Sequence, residues 1–336
     1  MNNNSAAIAQ AFANKNILIV GDVMIDAYMW GNVTRISPEA PVPIVAIERR
    51  EQRLGGAANV ALNLLSLGAN PIICSVLGND DHGREFASIM YSKGMDKRGL
   101  LQSDDRITTI KSRVIGNNMH IVRIDEEDTH PLNEYDEGRL LKRIDRIMKD
   151  VKVDAVIFQD YDKGCLTPHL IEHVTSIANK GNIITTVDPK HRNFSQFRGV
   201  TLFKPNLREM REGLNLDFDE DNFEVLRQTL DQAATTLHEH QHIDIVLITL
   251  SNKGIYACDF RSDVPQSLLL PACVRSVSDV SGAGDTVISV ASLALSAGLS
   301  LEEIVTYANL AGGIVCEQVG VVPIDKERLL SEISAL

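Results

Sequence analysis

Residues 153–158, Val-Asp-Ala-Val-Ile-Phe, form a short apolar run that ends just before the polar residues of 159–163. A run of this length, closed by polar turn residues, is typical of a buried parallel strand. Similar runs recur in the second half of the chain, where they alternate mainly with helical stretches, and one more lies near its start. These runs are residues 17–20, 183–187, 200–203 and 245–248. Their alternation with helices predicts an α/β fold, a doubly wound, three-layer α/β/α sandwich.

Two β-rich stretches lie on either side of the first helix of this pattern, which is predicted at 55–67. One includes a strand at 43–50, and the other is a hairpin of 107–115 and 120–125 with Gly116-Asn117-Asn118 at its turn. We expect residues 28–50 and 107–125 to form a small β-sheet lid within a single domain, residues 1–336. Because pairing two subunits would bury the exposed lid edges, a homodimer is expected.

The composition limits the classes of protein to be considered. A formal net charge of −12 disfavours binding to nucleic acid or to an anionic membrane surface. The five cysteines are scattered and form no C-x-x-C pair, so neither a disulfide framework nor a structural zinc site is expected. No uncharged apolar stretch reaches ~18 residues, and residues 1–15 lack the pattern of a secretory signal. We therefore expect a cytoplasmic enzyme.

Polar residues follow the predicted strands at the ends where a doubly wound sheet binds its ligands. They are Asp22, Asp26, Asp160, Asp162, Lys163, Asp188, Lys190, Lys204, Asn206 and Thr249. Ordinary turn chemistry also favours Asp and Asn after strands, but it must account for each strand end separately. The shared pattern favours a ligand site at this edge of the sheet.

The strongest motif is Asp279-Val280-Ser281-Gly282-Ala283-Gly284-Asp285-Thr286, which leads into an apolar helix. Its glycines leave the helix N-terminus open, so that backbone N–H groups can bind an anion, as phosphoryl transfer requires. Asp285 lies within the first turn, where a carboxylate can take the proton of an attacking hydroxyl. The alternative is a tightly packed helix start in which Asp285 complements the helix dipole.

A second motif, Gly55-Gly56-Ala57-Ala58-Asn59, opens the first helix. Glycines at this position let the backbone approach a ligand, and the Asn59 amide can both donate to and accept from a hydroxyl. Simple packing of a helix on a sheet would explain the same residues. Taken alone, this motif does not decide between the two interpretations.

Together and in this order, residues 55–59 and 279–285 resemble the two signature regions of the ribokinase (PfkB) carbohydrate kinases, over nearly the whole chain. The resemblance implies a ribokinase-like fold and phosphoryl transfer from ATP with Mg²⁺, and it leaves a requirement for a monovalent cation open. It implies that Gly282, Ala283 and Gly284 form the anion hole and that Asp285 is the catalytic base. The nucleotide contacts it implies are Lys190, Asn206, Glu209, Thr249, Gly254 and Asn309.

Asn206 and Glu209 resemble the N-x-x-E element of that family, which organises magnesium and phosphate. Their spacing of three residues places both on one face of a helix. The resemblance implies that they hold Mg²⁺ through water.

A narrower resemblance is to the kinase half of the heptose-phosphate kinase/adenylyltransferases. It rests on residues 35–43 (R-I-S-P-E-A-P-V-P), 111–113, 160–164 and 188–190. It implies phosphorylation of C1 of D-glycero-β-D-manno-heptose 7-phosphate to the 1,7-bisphosphate, in ADP-heptose synthesis for the lipopolysaccharide core. The chain offers no room for the adenylyltransferase domain, so the kinase step alone is expected. The substrate contacts implied are Asp22, Asp26, Arg35, Gly55, Gly56, Asn59, Lys111, Arg113, Arg123, Asp160 and Lys163. Ser281, Lys204 and Asp162 depart from the pattern of that family.

The lid also suggests that the substrate already carries a phosphate. Lys111 and Arg113 are two residues apart on a predicted strand and project from one face, as do Arg123 and Asp125 on its partner. A neutral sugar would leave these cations without a partner, whereas a phosphate would engage them. The alternative is that they are edge-strand charges that discourage aggregation.

Two other functions remain to be separated from this one. The first is a different kinase of the same superfamily, acting on fructose, ribose, a nucleoside or another phosphosugar. The second is a non-catalytic sugar or nucleotide sensor, against which Asp285 and the intact glycines argue because a sensor needs no base. The sequence contains no Walker A pattern and no G-x-G-x-x-G after a strand, which disfavours a P-loop kinase and a Rossmann dehydrogenase.

Overall fold

The computed structural model describes residues 3–117, 119–273 and 275–336. Within these ranges the strands are β1 (Asn16–Gly21), β2 (Val23–Ile36), β3 (Pro43–Gly56), β4 (Asn70–Gly78), β5 (Leu100–Ser103), β6 (Ile110–Gly116), β7 (Met119–Glu126), β8 (Ala155–Gln159), β9 (Ile184–Asp188), β10 (Leu202–Phe203), β11 (Ile245–Thr249), β12 (Ile255–Asp259) and β13 (Gln266–Leu270). The α-helices are α1 (Asn3–Phe12), α2 (Ala57–Ser66), α3 (Asp81–Ser92), α4 (Glu134–Asp150), α5 (Pro168–Lys180), α6 (Leu207–Leu214), α7 (Phe223–Gln241), α8 (Ala283–Ser296), α9 (Leu301–Val315) and α10 (Lys326–Ile333).

The main sheet has the order β13-β12-β11-β10-β9-β8-β1-β4-β5. Its strands from β11 to β5 are parallel, and β12 and β13 form an antiparallel edge. The parallel strands are buried along most of their length because helices cover both faces. The predicted doubly wound α/β fold is confirmed. The edge strands β12 and β13 were not predicted from sequence.

Two apolar cores lie on the two faces of this sheet. One is built around helices α2, α8 and α9, and the other around α4, α5 and α7. Alternate side chains of β1 supply both: Ile17 and Ile19 enter the first, while Leu18 and Val20 enter the second. In the part of the chain that the structure describes, no helix is both long and apolar enough to cross a bilayer.

A second, smaller sheet has the order β3-β2-β6-β7. It contains strand residues from both stretches predicted for the lid, 28–50 and 107–125, and extends beyond them to Val23 and Gly56. We call this sheet the lid sheet. Asn118, predicted in the hairpin turn, lies outside the described residues.

The start of the first helix differs from the prediction of 55–67. Residues 55 and 56 end strand β3, and α2 begins at Ala57. Gly56 has φ +62°, a left-handed conformation that turns the chain from strand to helix and is open to glycine at little cost. A Cβ atom on Gly55 would lie 2.1 Å from the Asp26 carboxylate. The two glycines therefore allow strand β3 of the lid sheet to continue directly into helix α2 of the main body.

Candidate functional site

The predicted ligand edge of the main sheet lies where β1 and β8 are neighbours. The chain moves from β1 to β4 and β5 on one side and later from β8 through β11 on the other, so the strand order reverses between β1 and β8. Open α/β sheets bind ligands at such a switch point, beyond the carboxyl ends of the strands. Gly21 and Gln159 are partners in register at these ends. The residues that follow them form the floor of the site.

Asp22 and Asp160, both predicted to bind substrate, are buried beneath the loop after β8. The Asp22 carboxylate accepts hydrogen bonds from the backbone N–H groups of Tyr161, Lys163 and Cys165 at 2.8, 3.1 and 3.0 Å. Asp160 likewise accepts hydrogen bonds within the protein, and burial together with the charge of Asp22 raises its pKa to about 7. These two carboxylates, predicted to bind substrate, thus bind the backbone of the loop and fix its shape.

The two sequence motifs meet at Asp285. The amide Nδ2 of Asn59 donates to Oδ2 of Asp285 at 2.7 Å, although the two residues are 226 positions apart. Gln159 Nε2 and the hydroxyl of Tyr161 donate to the other oxygen, Oδ1, at 3.0 and 2.7 Å. Burial raises the pKa of Asp285 to about 6, while the hydrogen bonds from Asn59 and Tyr161 oppose that rise. The carboxylate is therefore held in one orientation and poised to accept a proton near neutral pH.

The predicted anion hole lies at the N-terminus of α8. Gly282 is the N-cap residue and has φ +82°, and a Cβ atom on it would lie 2.9 Å from the Asn59 amide nitrogen. A Cβ atom on Gly284 would lie 3.7 Å from both the Asp188 carboxylate and the Lys204 ammonium. The helix start is thus open on the side where Lys204 contributes a positive charge.

Lys204 is the buried cation of this site. Its side chain is 3% exposed, and its ammonium lies 3.0 Å from the carboxylate of Asp188. Lys204 was expected among the polar residues at the ligand edge and was noted as a departure from a family pattern, but it was not predicted to bind substrate or nucleotide. Gln159 and Tyr161 were not predicted as site residues. All three lie at or just beyond the ends of strands, so their positions in the sequence could have identified them as site residues. Gln159 and Tyr161 contact Asp285 directly and Lys204 pairs with the nearby Asp188, an arrangement that depends on the order of strands β8, β9 and β10.

A cavity of about 860 Å³ extends from the N-terminus of α8 along β11, β12 and α9. Ala283 and Gly284 of the predicted anion hole line it, together with four of the predicted nucleotide-binding residues: Asn206, Thr249, Gly254 and Asn309. Gly254 has φ +104°, and a Cβ atom there would strike the backbone oxygen of Leu270 at 1.9 Å. The volume and the mixed apolar and polar lining fit a nucleotide whose phosphates point toward α8.

Lys190 and Glu209, the other two residues predicted to bind the nucleotide, form a local network with Asn206. Asn206 is the N-cap of α6, and Asn206 and Glu209 bind each other's backbone N–H groups at 2.8 Å in a capping box. Lys190 forms an ion pair with Glu209 and lies 5.8 Å from the ring centre of Tyr161. Asn206 and Glu209 were expected on one face of a helix. Instead, Asn206 caps α6 and Glu209 lies in its first turn, and the two residues together stabilise the start of this helix.

The side chains near the predicted phosphate site limit how a magnesium ion could be held. No group of three or more His, Cys, Asp or Glu side chains among them could form a metal site. Glu209 already accepts from the Asn206 backbone and pairs with Lys190. This arrangement fits an ion bound mainly by phosphate oxygens and water, as is usual for Mg²⁺, with Asn206 and Glu209 acting through water.

The lid cations have partners, contrary to the prediction that a phosphate is needed to engage them. Lys111 contacts the carboxylates of Asp125 at 3.0 Å and Glu127 at 2.9 Å, and Arg113 contacts Asp26 at 2.6 Å. Lys111 and Asp125 are directly opposite each other in the β6–β7 hairpin, a position that favours opposite charges.

Of the other cations predicted on or near the lid, two are also paired. Arg123 contacts Asp125 at 2.9 Å, and Lys163 contacts Glu127 at 2.7 Å. Arg35 is exposed on β2. The cluster therefore contains four cations and three carboxylates, which leaves one positive charge over: Lys111, Arg113, Arg123, Lys163, Asp26, Asp125 and Glu127.

The chain is similar to known carbohydrate kinases in both sequence and fold. Residues 14–327 match the model of a family described as pfkB family carbohydrate kinase. The bifunctional protein HldE of Helicobacter pylori strain J99 is 38% identical over 91% of this chain and 64% of its own length. The chain thus spans less than two thirds of that relative.

Two solved structures share the fold. Phosphofructokinase-2 from Escherichia coli, in complex with potassium, has a TM-score of 0.75 at 17% identity and covers 96% of this chain and 99% of its own. Ribokinase from Arabidopsis thaliana, complexed with ribose and ATP, has a TM-score of 0.67 at 16% identity and covers 95% of this chain and 99% of its own. The predicted family resemblance and the ribokinase-like fold are both confirmed.

Proposed function

The chain belongs to the pfkB family of carbohydrate kinases, phosphotransferases that act on a sugar hydroxyl, and from this premise we propose that it phosphorylates C1 of D-glycero-β-D-manno-heptose 7-phosphate with ATP. The observation that carries the proposal is the meeting of Asn59 and Asp285 beside the open N-terminus of α8. The narrower resemblance of residues 35–43, 160–164 and 188–190 supports the acceptor. The step would serve ADP-heptose synthesis.

The proposed reaction uses the residues of the site in distinct ways. The C1 hydroxyl gives its proton to Asp285 as its oxygen forms a bond to the γ-phosphorus of ATP, and the bond from that phosphorus to the β–γ bridging oxygen breaks to release ADP. The N–H groups at the start of α8 and the ammonium of Lys204 stabilise the negative charge of the transferring group. Mg²⁺, when bound to the phosphates, neutralises further charge there, and Asn206 and Glu209 would hold it through water.

Binding of the 7-phosphate by the lid must compete with existing ion pairs, because the lid cations are already paired with carboxylates. A phosphate would have to replace a carboxylate as the partner of Lys111 or Arg113. Otherwise it would have to bind through the one positive charge by which the four cations of the cluster exceed its three carboxylates. The pairing of Arg113 with Asp26 equally favours the second candidate, a family kinase for a sugar without that phosphate. A non-catalytic sensor is the third, and it leaves the oriented Asp285 without a purpose.

An ATP-consumption assay across sugars and sugar 7-phosphates separates these candidates. We expect kcat/KM to be highest for the heptose 7-phosphate, with one ADP formed per 1,7-bisphosphate. Equal efficiency with the unphosphorylated heptose would contradict the acceptor, and no turnover with any sugar would contradict the enzyme. Replacing K⁺ with a large organic cation in the same assay tests the requirement for a monovalent cation.

A homodimer through the lid sheet remains part of the proposal. Several large apolar side chains of this sheet are exposed, and pairing two subunits would remove them from water. They are Ile36, Ile47, Met119, Val122 and Ile124. We expect light scattering at micromolar concentration to give twice the mass of the chain, and Val122→Glu to give the monomer. A monomeric wild-type protein would contradict this part without affecting the proposed reaction.

A further inference from the structure

The two oxygens of the Asp285 carboxylate are unequally used by the protein. Oδ1 accepts two hydrogen bonds, from Gln159 and Tyr161, whereas Oδ2 accepts one, from Asn59. A carboxylate oxygen offers about two lone-pair sites. The hydrogen bonds of Gln159 and Tyr161 therefore fill Oδ1, and the free acceptor site of Asp285 is on Oδ2.

Two further acceptors beside this carboxylate have no partner. Asn59 Oδ1 and Gln159 Oε1 are both buried and accept no hydrogen bond from any residue that the structure describes. Their orientation follows from Asp285, because the NH₂ group of each amide donates to its carboxylate. Buried polar atoms in native proteins nearly always have partners, so two unpartnered acceptors at one place indicate a ligand with hydroxyl donors.

We propose that Gln159 and Tyr161 direct the proton of the acceptor hydroxyl to Oδ2 of Asp285, and that Gln159 Oε1 binds a neighbouring hydroxyl of the sugar. Tyr161 is then a positioning residue, since it contacts the base and not the substrate, and Gln159 is a substrate-binding residue. The inference rests on the proposed function, because it requires Asp285 to be the base. The proton leaves the sugar oxygen as the bond to phosphorus forms, and it stays on Oδ2 until product release.

Three strand ends supply the polar and charged groups around Asp285. Burial is the main cause of its raised pKa; Asp188, the last residue of β9, raises the pKa further, and Lys204 after β10 lowers it. Tyr161 after β8 lowers it through its hydrogen bond and carries Lys190 over its ring. Burial and the neighbouring charge of Asp285 raise the pKa of Tyr161 well above its usual value, so its hydroxyl stays a donor throughout the working range.

Tyr161→Phe tests the positioning part of the proposal. Without the hydrogen bond the pKa of Asp285 rises, and because the carboxylate is the active form, the acid limb of kcat/KM should move to higher pH by about one unit. Tyr256→Phe is the matched control: its buried hydroxyl also donates to a carboxylate, Oδ1 of Asp231, at 2.6 Å. We expect the control to leave the limb in place, so a shift in Tyr161→Phe alone supports the proposal.

Gln159→Met tests the substrate contact, since it keeps the volume of the side chain and removes both the donor and the acceptor. We expect KM for the sugar to rise at least fivefold, roughly the loss of one hydrogen bond, with KM for ATP unchanged. Unchanged KM for the sugar in Gln159→Met, or an unmoved acid limb in Tyr161→Phe, would overturn the inference.

Asp285→Asn distinguishes this failure from failure of the proposed function. If Asp285→Asn retains turnover, Asp285 is not the base and both proposals are wrong. If Asp285→Asn is inactive while Tyr161→Phe and Gln159→Met behave as wild type, only the further inference is wrong. Thermal melting of each variant shows that the comparison is made on folded protein.

Discussion

Asp285 lies in the first turn of α8, where a carboxylate usually faces water, yet it is only 4% exposed. Burial raises its pKa to about 6, and the hydrogen bonds of Asn59 and Tyr161 keep it from rising further. A base with a pKa close to the working pH accepts a proton more readily than an ordinary carboxylate does. The surroundings of this residue, rather than its type, therefore make it suited to catalysis.

The negative charge of Asp285 is required for the proposed reaction. Asp285→Asn should keep the fold and ATP binding and lower kcat by at least ~10², because the amide cannot accept the proton of the hydroxyl. Steady-state kinetics and nucleotide binding by calorimetry measure the two effects separately. Near-wild-type turnover would remove Asp285 from the mechanism.

The backbone conformation of Gly282 is also expected to matter for both stability and activity. Gly282→Ala should destabilise the protein by roughly 1–2 kcal/mol, because φ +82° is unfavourable for an L-residue. It should also lower kcat by about tenfold or more, because the new Cβ atom displaces the Asn59 amide from Asp285.

Gly298→Ala is the matched control for this variant. Gly298 has φ +75°, but a Cβ atom there would meet no other atom within 4 Å. We expect a similar loss of stability in chemical denaturation with unchanged kcat. If both variants lose activity alike, the effect comes from stability and not from the position of Asn59.

At the scale of elements, the lid sheet is joined to the site by charge as well as by its backbone. Arg113 on β6 pairs with Asp26 on β2, and Asp26 in turn lies against Gly55 at the end of β3. Both partners are mostly buried, with side chains 14% and 5% exposed. Removing one partner of such a pair costs more than removing an exposed charge, because the other is left buried and unpaired.

If the 7-phosphate of the proposed acceptor contacts Arg113, Arg113→Ala should raise KM for the phosphorylated sugar and leave KM for ATP nearly unchanged. If the lid must close to complete the site, kcat should fall as well. Arg84→Ala is a suitable control, since Arg84 is 59% exposed and pairs with Asp81 on the surface of α3. The same KM for the sugar in both variants would show that Arg113 takes no part in binding it.

The whole molecule buries an unusual set of carboxylates at the edge of one sheet. Burial raises the pKa of Asp22, raises that of Asp160 to about 7 and raises that of Asp285 to about 6. In the unfolded chain these groups have lost their protons by pH 5, so between pH 5 and 7 the folded protein binds more protons than the unfolded one. Stability contributed by their protonated forms is then lost as pH rises through the folded pKa values.

We expect the free energy of unfolding of the ligand-free protein to fall between pH 5 and 7.5, with a slope of up to about 1.4 kcal/mol per pH unit for each excess proton. Asp160→Asn should make that slope shallower, because the amide does not titrate. Urea denaturation across this pH range measures both proteins. A wild-type stability that rises steadily with pH would contradict the raised pKa values.

Local patterns in the sequence were enough to predict the strands β1, β8, β9, β10 and β11 and the open helix start at Gly282. Apolar runs and glycines act through short-range backbone preferences and burial, which depend little on distant residues. The family was recognisable, and Asp285 could be proposed as the base, because the motifs that carry them are contiguous in the sequence. The edge strands β12 and β13 were missed, although residues 255–258 form an apolar run of the same kind between Gly254 and Asp259.

Contacts between distant segments could be decided only by the tertiary structure. Asn59, Gln159 and Tyr161 converge on Asp285 because β8 and α2 lie on the two sides of its helix start, and strand order is not written in any local pattern. The partners of the lid cations were also decided by the tertiary structure. Lys111 and Arg113 were predicted to need a phosphate as partner, but they are paired with carboxylates on neighbouring strands. The sequence by itself determined which chemical groups this protein has, and the tertiary structure decided which of them are neighbours, because hydrogen bonds and ion pairs depend on distance in space.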